Sequence, residues 1–93
     1  MLKVNEYFDG KVKSIGFADG EGRVTSGVME SGDYTFSTSS KELMTVVTGA
    51  LAIKRPGDSE WMTFRASESF EVPADVSFEV HVEQPTAYIC RYG

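Results

Sequence analysis

An all-β fold, a sandwich or barrel of antiparallel strands in a single domain spanning 1–93, is what this chain of 93 residues predicts. Three observations carry that expectation. Short runs rich in Val, Ile, Thr and aromatic residues recur at spacings of roughly 8–12 residues. Clusters of Gly, Pro, Asp and Ser separate most of them. No segment keeps a helical period over the roughly ten residues a helix needs.

The elements follow in order. KVKSIGF (11–17) and RVTSGVM (23–29) flank the turn DGEG at 19–22. SGD at 31–33 introduces DYTFST (33–38). LMTVVT (43–48) and ALAIK (50–54) flank Gly49, so a tight hairpin is expected there, with Gly49 at positive φ. RPGDSE (55–60) leads into EWMTF (60–64), followed by SFEV (69–72). The turn PAD (73–75) precedes VSFEVHV (76–82), and TAYICRY (86–92) closes the chain. TSSKELM (38–44) is the nearest approach to a helix, one turn with Ser39 or Ser40 as its cap. No repeat, linker or low-complexity tract interrupts this pattern.

Strand parity assigns faces, because side chains alternate with period two. Val76, Phe78, Val80 and Val82 share one face and should point inward, while Ser77, Glu79 and His81 face out. Tyr34, Phe36 and Thr38 lie together. Tyr88, Cys90 and Tyr92 lie opposite Ile89 and Arg91, so both faces of the last strand carry bulk. That suits one face toward a lumen and the other toward a second sheet or subunit.

Composition bounds the function. Apolar residues make up 41% and aromatics 12%, enough for one core, and a chain this short gains from covering a face with a second copy. A homo-oligomer is therefore expected. The net charge of −5, with acids spread along the chain, argues against binding nucleic acid. No apolar run approaches the ~20 residues of a membrane span. The opening MLKVNEYFDGKVK is too polar for a signal peptide. One cysteine, Cys90, excludes an intrachain disulfide and suits the reducing cytoplasm.

The spacing of Gly32, Glu42 and Gly49 resembles the first motif of the cupins, small jelly-roll β-barrels. Phe36 and Thr38 stand where that motif has two histidines. In the second motif Pro73 fits, Ser67 and Asp75 replace glycines, and Phe78 replaces the third histidine. A metal site needs several converging donors, and Glu42 alone supplies too few. A closer resemblance covers nearly the whole chain. NEYFDGKVKSIGF, GRVTSGVM, YTFSTSSKELMTVVTGAL, FEVPADVSF and AYICRYG are similar to the cupin family of pyrimidine/purine nucleoside phosphorylases. The chain departs from it at Ser67, where Gly is usual, and at Ala74-Asp75.

The resemblance implies metal-independent phosphorolysis by a homodimer tolerant of many bases. Nucleoside and inorganic phosphate would give free base and ribose 1-phosphate, with no cofactor. Such a site needs a phosphate cradle, a group for the ribose and a slot for the base. Arginine suits phosphate because its planar donors bind in pairs. Arg23 and Arg91 lie in the resembling stretches, unlike Arg55 and Arg65, with Lys11 and Lys13 as the next candidates. Glu42 is the candidate for the ribose hydroxyls or for the positive charge that builds on the sugar. Glu42 and Arg91 are thus the expected catalytic pair.

Phe36, Phe78, Tyr88 and Tyr92 could stack on a base, and Thr38 and Ser37 offer hydroxyls to sugar or phosphate. The structural alternatives are a solvated arginine, an acid that orders its turn, and aromatics that fill the core. His81 reads as surface and Cys90 as packing. A non-catalytic cupin that binds a small molecule is the alternative function; a residual metal site around Glu42 is the rival within the enzyme class.

Overall fold

The computed structural model describes residues 2–93. Among the described residues ten strands form and there is no helix. They are β1 (Lys3–Tyr7), β2 (Val12–Asp19), β3 (Gly22–Met29), β4 (Gly32–Ser37) and β5 (Glu42–Thr48). Then come β6 (Ala50–Lys54), β7 (Met62–Arg65), β8 (Ser69–Val72), β9 (Ser77–Val82) and β10 (Thr86–Tyr92). One sheet has the order β1-β2-β3-β10-β5-β8 and the other β4-β9-β6-β7. Every pairing is antiparallel. The chain crosses between the sheets at each connection from β3 to β6 and from β7 to β10, which makes a jelly roll. The two sheets are separate hydrogen-bonded sets, so the expected barrel is an open sandwich rather than a closed ring of strands.

Parity sets the core as the sequence implies. Phe78, Val80 and Val82 of β9 are almost wholly buried, opposite Val46 and Val72 of the larger sheet. Burying one such side chain stabilises by about 1.5–3 kcal/mol. Phe64 of β7 and Phe70 of β8 stack at 4.7 Å between centroids and tie the two sheets together.

Three local expectations are corrected, and one strand was not foreseen. Residues 39 and 40 form a bend and 42–44 begin β5, so no helical turn forms, and Ser40 Oγ is buried with no hydrogen-bond partner instead of capping one. Gly49 does hold φ +93, but no hairpin forms there, because β5 and β6 belong to different sheets. The positive φ lets the chain step across the sandwich. A Cβ at Gly49 would collide with Thr86 Oγ1, and that hydroxyl accepts from Ala50 N at 3.2 Å. β1 is the strand the sequence pattern conceals: its residues are mostly exposed on both faces, so no apolar alternation marks it. EWMTF starts its strand only at Met62.

Two of the positions that depart from the resembled pattern, Ser67 and Asp75, fall at special backbone conformations. Ser67 holds φ +73 and Asp75 φ +59, left-handed conformations in which glycine is unstrained and aspartate tolerated. Phe8 at φ +55 and Asp9 at φ +57 form the centre of a turn closed by Gly10 N donating to Tyr7 O at 3.1 Å. Two consecutive positive φ values suit Asn, Asp or Gly. A bulky aromatic there stores about 1–3 kcal/mol of strain.

Candidate functional site

A cavity of about 430 Å³ opens between the sheets. β4 and β9 supply Phe36, Ser37 and Phe78; β5 supplies Glu42 and Met44; β10 supplies Tyr88, Cys90 and Tyr92. Register explains the grouping. Phe36 pairs directly with Phe78 across β4 and β9, and their rings stack at 5.8 Å. Glu42 pairs with Tyr92, and Cys90 with Met44, across β5 and β10. Five of the expected site residues, Phe36, Glu42, Phe78, Tyr88 and Tyr92, therefore converge on one chamber.

The electrostatics of this chamber follow from its aromatic walls. Burial raises the pKa of Glu42, opposed by a weak hydrogen bond that Cys90 Sγ donates to its Oε1 at 3.5 Å. The Cys90 thiol is pushed up by burial and then by the Glu42 charge, so it stays protonated and unreactive. Tyr92 is pushed up to about 12, mainly by burial, and its hydroxyl lies 3.2 Å from Thr25 Oγ1. Burial also raises Tyr88. The chamber thus holds one carboxylate that resists ionising among groups that stay neutral.

A second recess, of about 540 Å³, shares Tyr7, Ser37, Glu42 and Tyr92 with the first. Lys3 and Arg23 line it, and Glu42 is the one acid among its lining residues. Arg23 lies here because β3 pairs with β10 so that Arg23, like Thr25, faces the same side as Tyr92. Its guanidinium sits 4.9 Å from the Tyr92 ring centroid, a cation–π contact, and it has no ion pair among the described residues.

Two expected residues stand apart. Arg91 lies on the opposite face of β10 and holds Asp19 with its two terminal guanidinium nitrogens, at 3.1 and 2.7 Å. That pair, through the hydrogen bond first, keeps the Asp19 carboxyl well below the usual range. Parity on β10 separates Arg91 from Tyr88, Cys90 and Tyr92, so Arg91, expected as a phosphate clamp, lines neither recess beside Glu42. Thr38 is buried and consumed by structure: Oγ1 donates to Pro73 O at 2.7 Å and accepts from Val76 N at 3.1 Å. It clasps the 73–76 turn instead of facing the cavity. Lys11 and Lys13 line neither recess, and Lys13 pairs with Glu6.

His81 is half-exposed on the outer face of β9, 2.6 Å from Asp33 Oδ1. The residues at the three imidazole positions do not fit a metal, since Phe36 and Phe78 carry no donor atoms and Thr38 is already bonded. Among the described residues no three His, Cys, Asp or Glu side chains gather to hold one. The sequence reading missed Lys3, Tyr7, Phe8 and Ser14, all on or beside the concealed strand β1. The aromatic pair Tyr7-Phe8 ahead of Asp9-Gly10 is the signal that could have found them.

The family model described as pyrimidine/purine nucleoside phosphorylase matches residues 2–92. The chain belongs to the pyrimidine/purine nucleoside phosphorylase family. A relative of that name from Magnetococcus marinus is 60% identical over 93 residues, covering all of both chains. A crystal structure of a Vibrio parahaemolyticus protein of unknown function is 48% identical, with a TM-score of 0.97, and covers 100% of this chain and 99% of that one. An RmlC-like cupin from Shewanella frigidimarina is similar in fold alone, with 16% identity and a TM-score of 0.71 over 96% of this chain and 80% of that one. This member of the phosphorylase family is therefore an all-β jelly roll of the cupin kind.

Proposed function

We propose that the chain is a metal-independent nucleoside phosphorylase, cleaving purine and pyrimidine nucleosides with inorganic phosphate to free base and ribose 1-phosphate. One observation carries the reading: an aromatic chamber and a cationic recess meet at a common wall that holds Glu42 and Tyr92. The base lies against Phe36, Phe78 and Tyr88, whose π faces accept any base and so give broad specificity. The ribose lies at Glu42. Phosphate lies in the recess beside Arg23 and Lys3. A phosphate oxygen bonds to C1′ as the C1′–N bond breaks, and the bonding pair leaves with the base, which takes up a proton. Glu42 stabilises the positive charge that builds on the sugar, in a poorly hydrated setting that strengthens the interaction.

The test is incubation of pure protein with uridine or adenosine, with and without phosphate. Base is expected to appear only with phosphate, and EDTA is expected to leave the rate unchanged. Binding without base release would favour a sensor-like cupin instead, and loss of activity in EDTA would overturn the metal-free chemistry.

We also propose a homodimer, working in the cytoplasm, where the free thiol of Cys90 stays reduced. No helix among the described residues is long and apolar enough to cross a membrane. Ile15, Phe17, Val28, Leu43 and Ile89 stay exposed on the outer face of the six-stranded sheet. Exposed apolar side chains gathered on one sheet face are characteristic of an interface, and the chain is short enough to gain from covering them with a second copy. Light scattering is expected to give twice the mass of the chain, and Ile89→Glu to give the monomer. A wild-type monomer at micromolar concentration would refute the dimer.

A further inference from the structure

We infer that Phe8 is a substrate-contacting residue, the outer wall of the base subsite at the mouth of the chamber. The inference rests on the chamber being the nucleoside site, as proposed above. Three features of the residue point to it. Phe8 lines the chamber although it lies outside every strand. It remains 42% exposed, so its ring is neither core nor free surface. Its backbone holds φ +55 in a turn that Gly, Asn or Asp would occupy without strain.

The neighbouring rings show where the side chain is directed. The Phe8 ring lies 4.9 Å from Tyr34, tilted by 54°, and 5.4 Å from Phe36 at 82°. Phe36 in turn stacks on Phe78, deeper in the same chamber. The β1–β2 turn thus carries a ring from the larger sheet across to the smaller one. There it meets Phe36 nearly at right angles, and the two rings make a corner at the cavity mouth. A nucleoside base is a flat, apolar-faced ring that fits such a corner. Strain kept in a bulky residue at a cavity mouth accords with a ligand contact, and a hairpin in need only of a turn would do better with asparagine.

The experiment compares Phe8→Asn, which suits the turn but removes the ring, with Phe8→Tyr, which keeps the ring. Phe8→Asn is expected to raise the KM for uridine and adenosine about tenfold while the KM for phosphate stays within twofold of wild type. Phe8→Tyr is expected to restore the nucleoside KM. Binding of uridine without phosphate, by equilibrium dialysis, should weaken in parallel in Phe8→Asn. A purely structural role would lower the melting temperature and the amount of active protein without separating the two KM values, and that result would overturn the inference. So would a nucleoside KM within twofold of wild type in Phe8→Asn. If wild-type protein binds uridine but releases no base, phosphorolysis fails and the dialysis comparison still decides the role of Phe8. If wild-type protein binds no nucleoside, both readings fall.

Discussion

Arg23→Ala is expected to lower kcat/KM for phosphate by about 100-fold or more, the scale seen when one preorganised charge contact at a reacting group is removed. The reason is placement. Arg23 lines the recess next to Glu42, free of ion pairs among the described residues, with its guanidinium held over the Tyr92 ring. A planar fork already oriented by an aromatic face loses little freedom when it takes up a tetrahedral anion. Arg23→Lys keeps the charge but loses the fork and the stacking, so an intermediate loss is expected.

Arg91→Ala and Arg65→Ala serve as controls and should keep activity near wild type. Arg91 is occupied by Asp19 on the other face of β10, and Arg65 lies at the end of β7, away from both recesses. Steady-state kinetics with phosphate as the varied substrate reads the outcome. Wild-type phosphate kinetics in Arg23→Ala would move the phosphate cradle elsewhere, with Lys3 the next residue to test.

Glu42→Gln should lose activity by a similar factor of about 100 while gaining stability at neutral pH. The two effects have one cause. The chamber desolvates the carboxylate, raising its pKa above the ordinary glutamate value of 4.5. Between the unfolded and the folded pKa the native state binds the extra proton, so this group's contribution to stability is full at low pH and falls as pH rises through the folded value. Glutamine keeps the shape and can still accept from Cys90, but has no charge to desolvate. Its melting temperature should therefore exceed wild type at pH 7–8, and the difference should shrink below pH 4.5.

For catalysis the sign is opposite. The ionised form is the one that steadies the sugar's positive charge, so wild-type kcat/KM should fall on the acid side with an apparent pKa above 4.5. Thermal melts and a pH–rate profile check both. A glutamine variant as active as wild type would remove Glu42 from the chemistry.

The local grammar of the chain made most of the fold readable. Nine of the ten strands among the described residues show in the sequence, most because one face is buried in alternation, as in Phe78, Val80 and Val82, and β7 because an aromatic-rich run follows a turn. Gly49 showed its positive φ because the chain must turn between two apolar runs, and the substitution of phenylalanine at 36 and 78 told against an imidazole-bound metal. β1 stayed hidden because its residues are mostly exposed on both faces, which leaves no hydrophobic period to detect, and Tyr7, Phe8 and Lys3 stayed hidden with it.

The two arginines mark the boundary between these levels of information. Parity along β10 already put Arg91 opposite Tyr92, a relation between neighbours in one strand. That Arg23 shares the Tyr92 side depends on β3 pairing with β10 so that Thr25 faces Cys90, across sixty-odd residues of intervening chain. Shifting that register by one residue would turn Arg23 outward. Likewise, whether Thr48-Gly49 closes a hairpin or crosses the sandwich depends on which sheet receives Ala50–Lys54. Long-range pairing is chosen by burial of the whole core, not by the residues at the turn, so the strands and their faces were written locally, and the site was assembled by register.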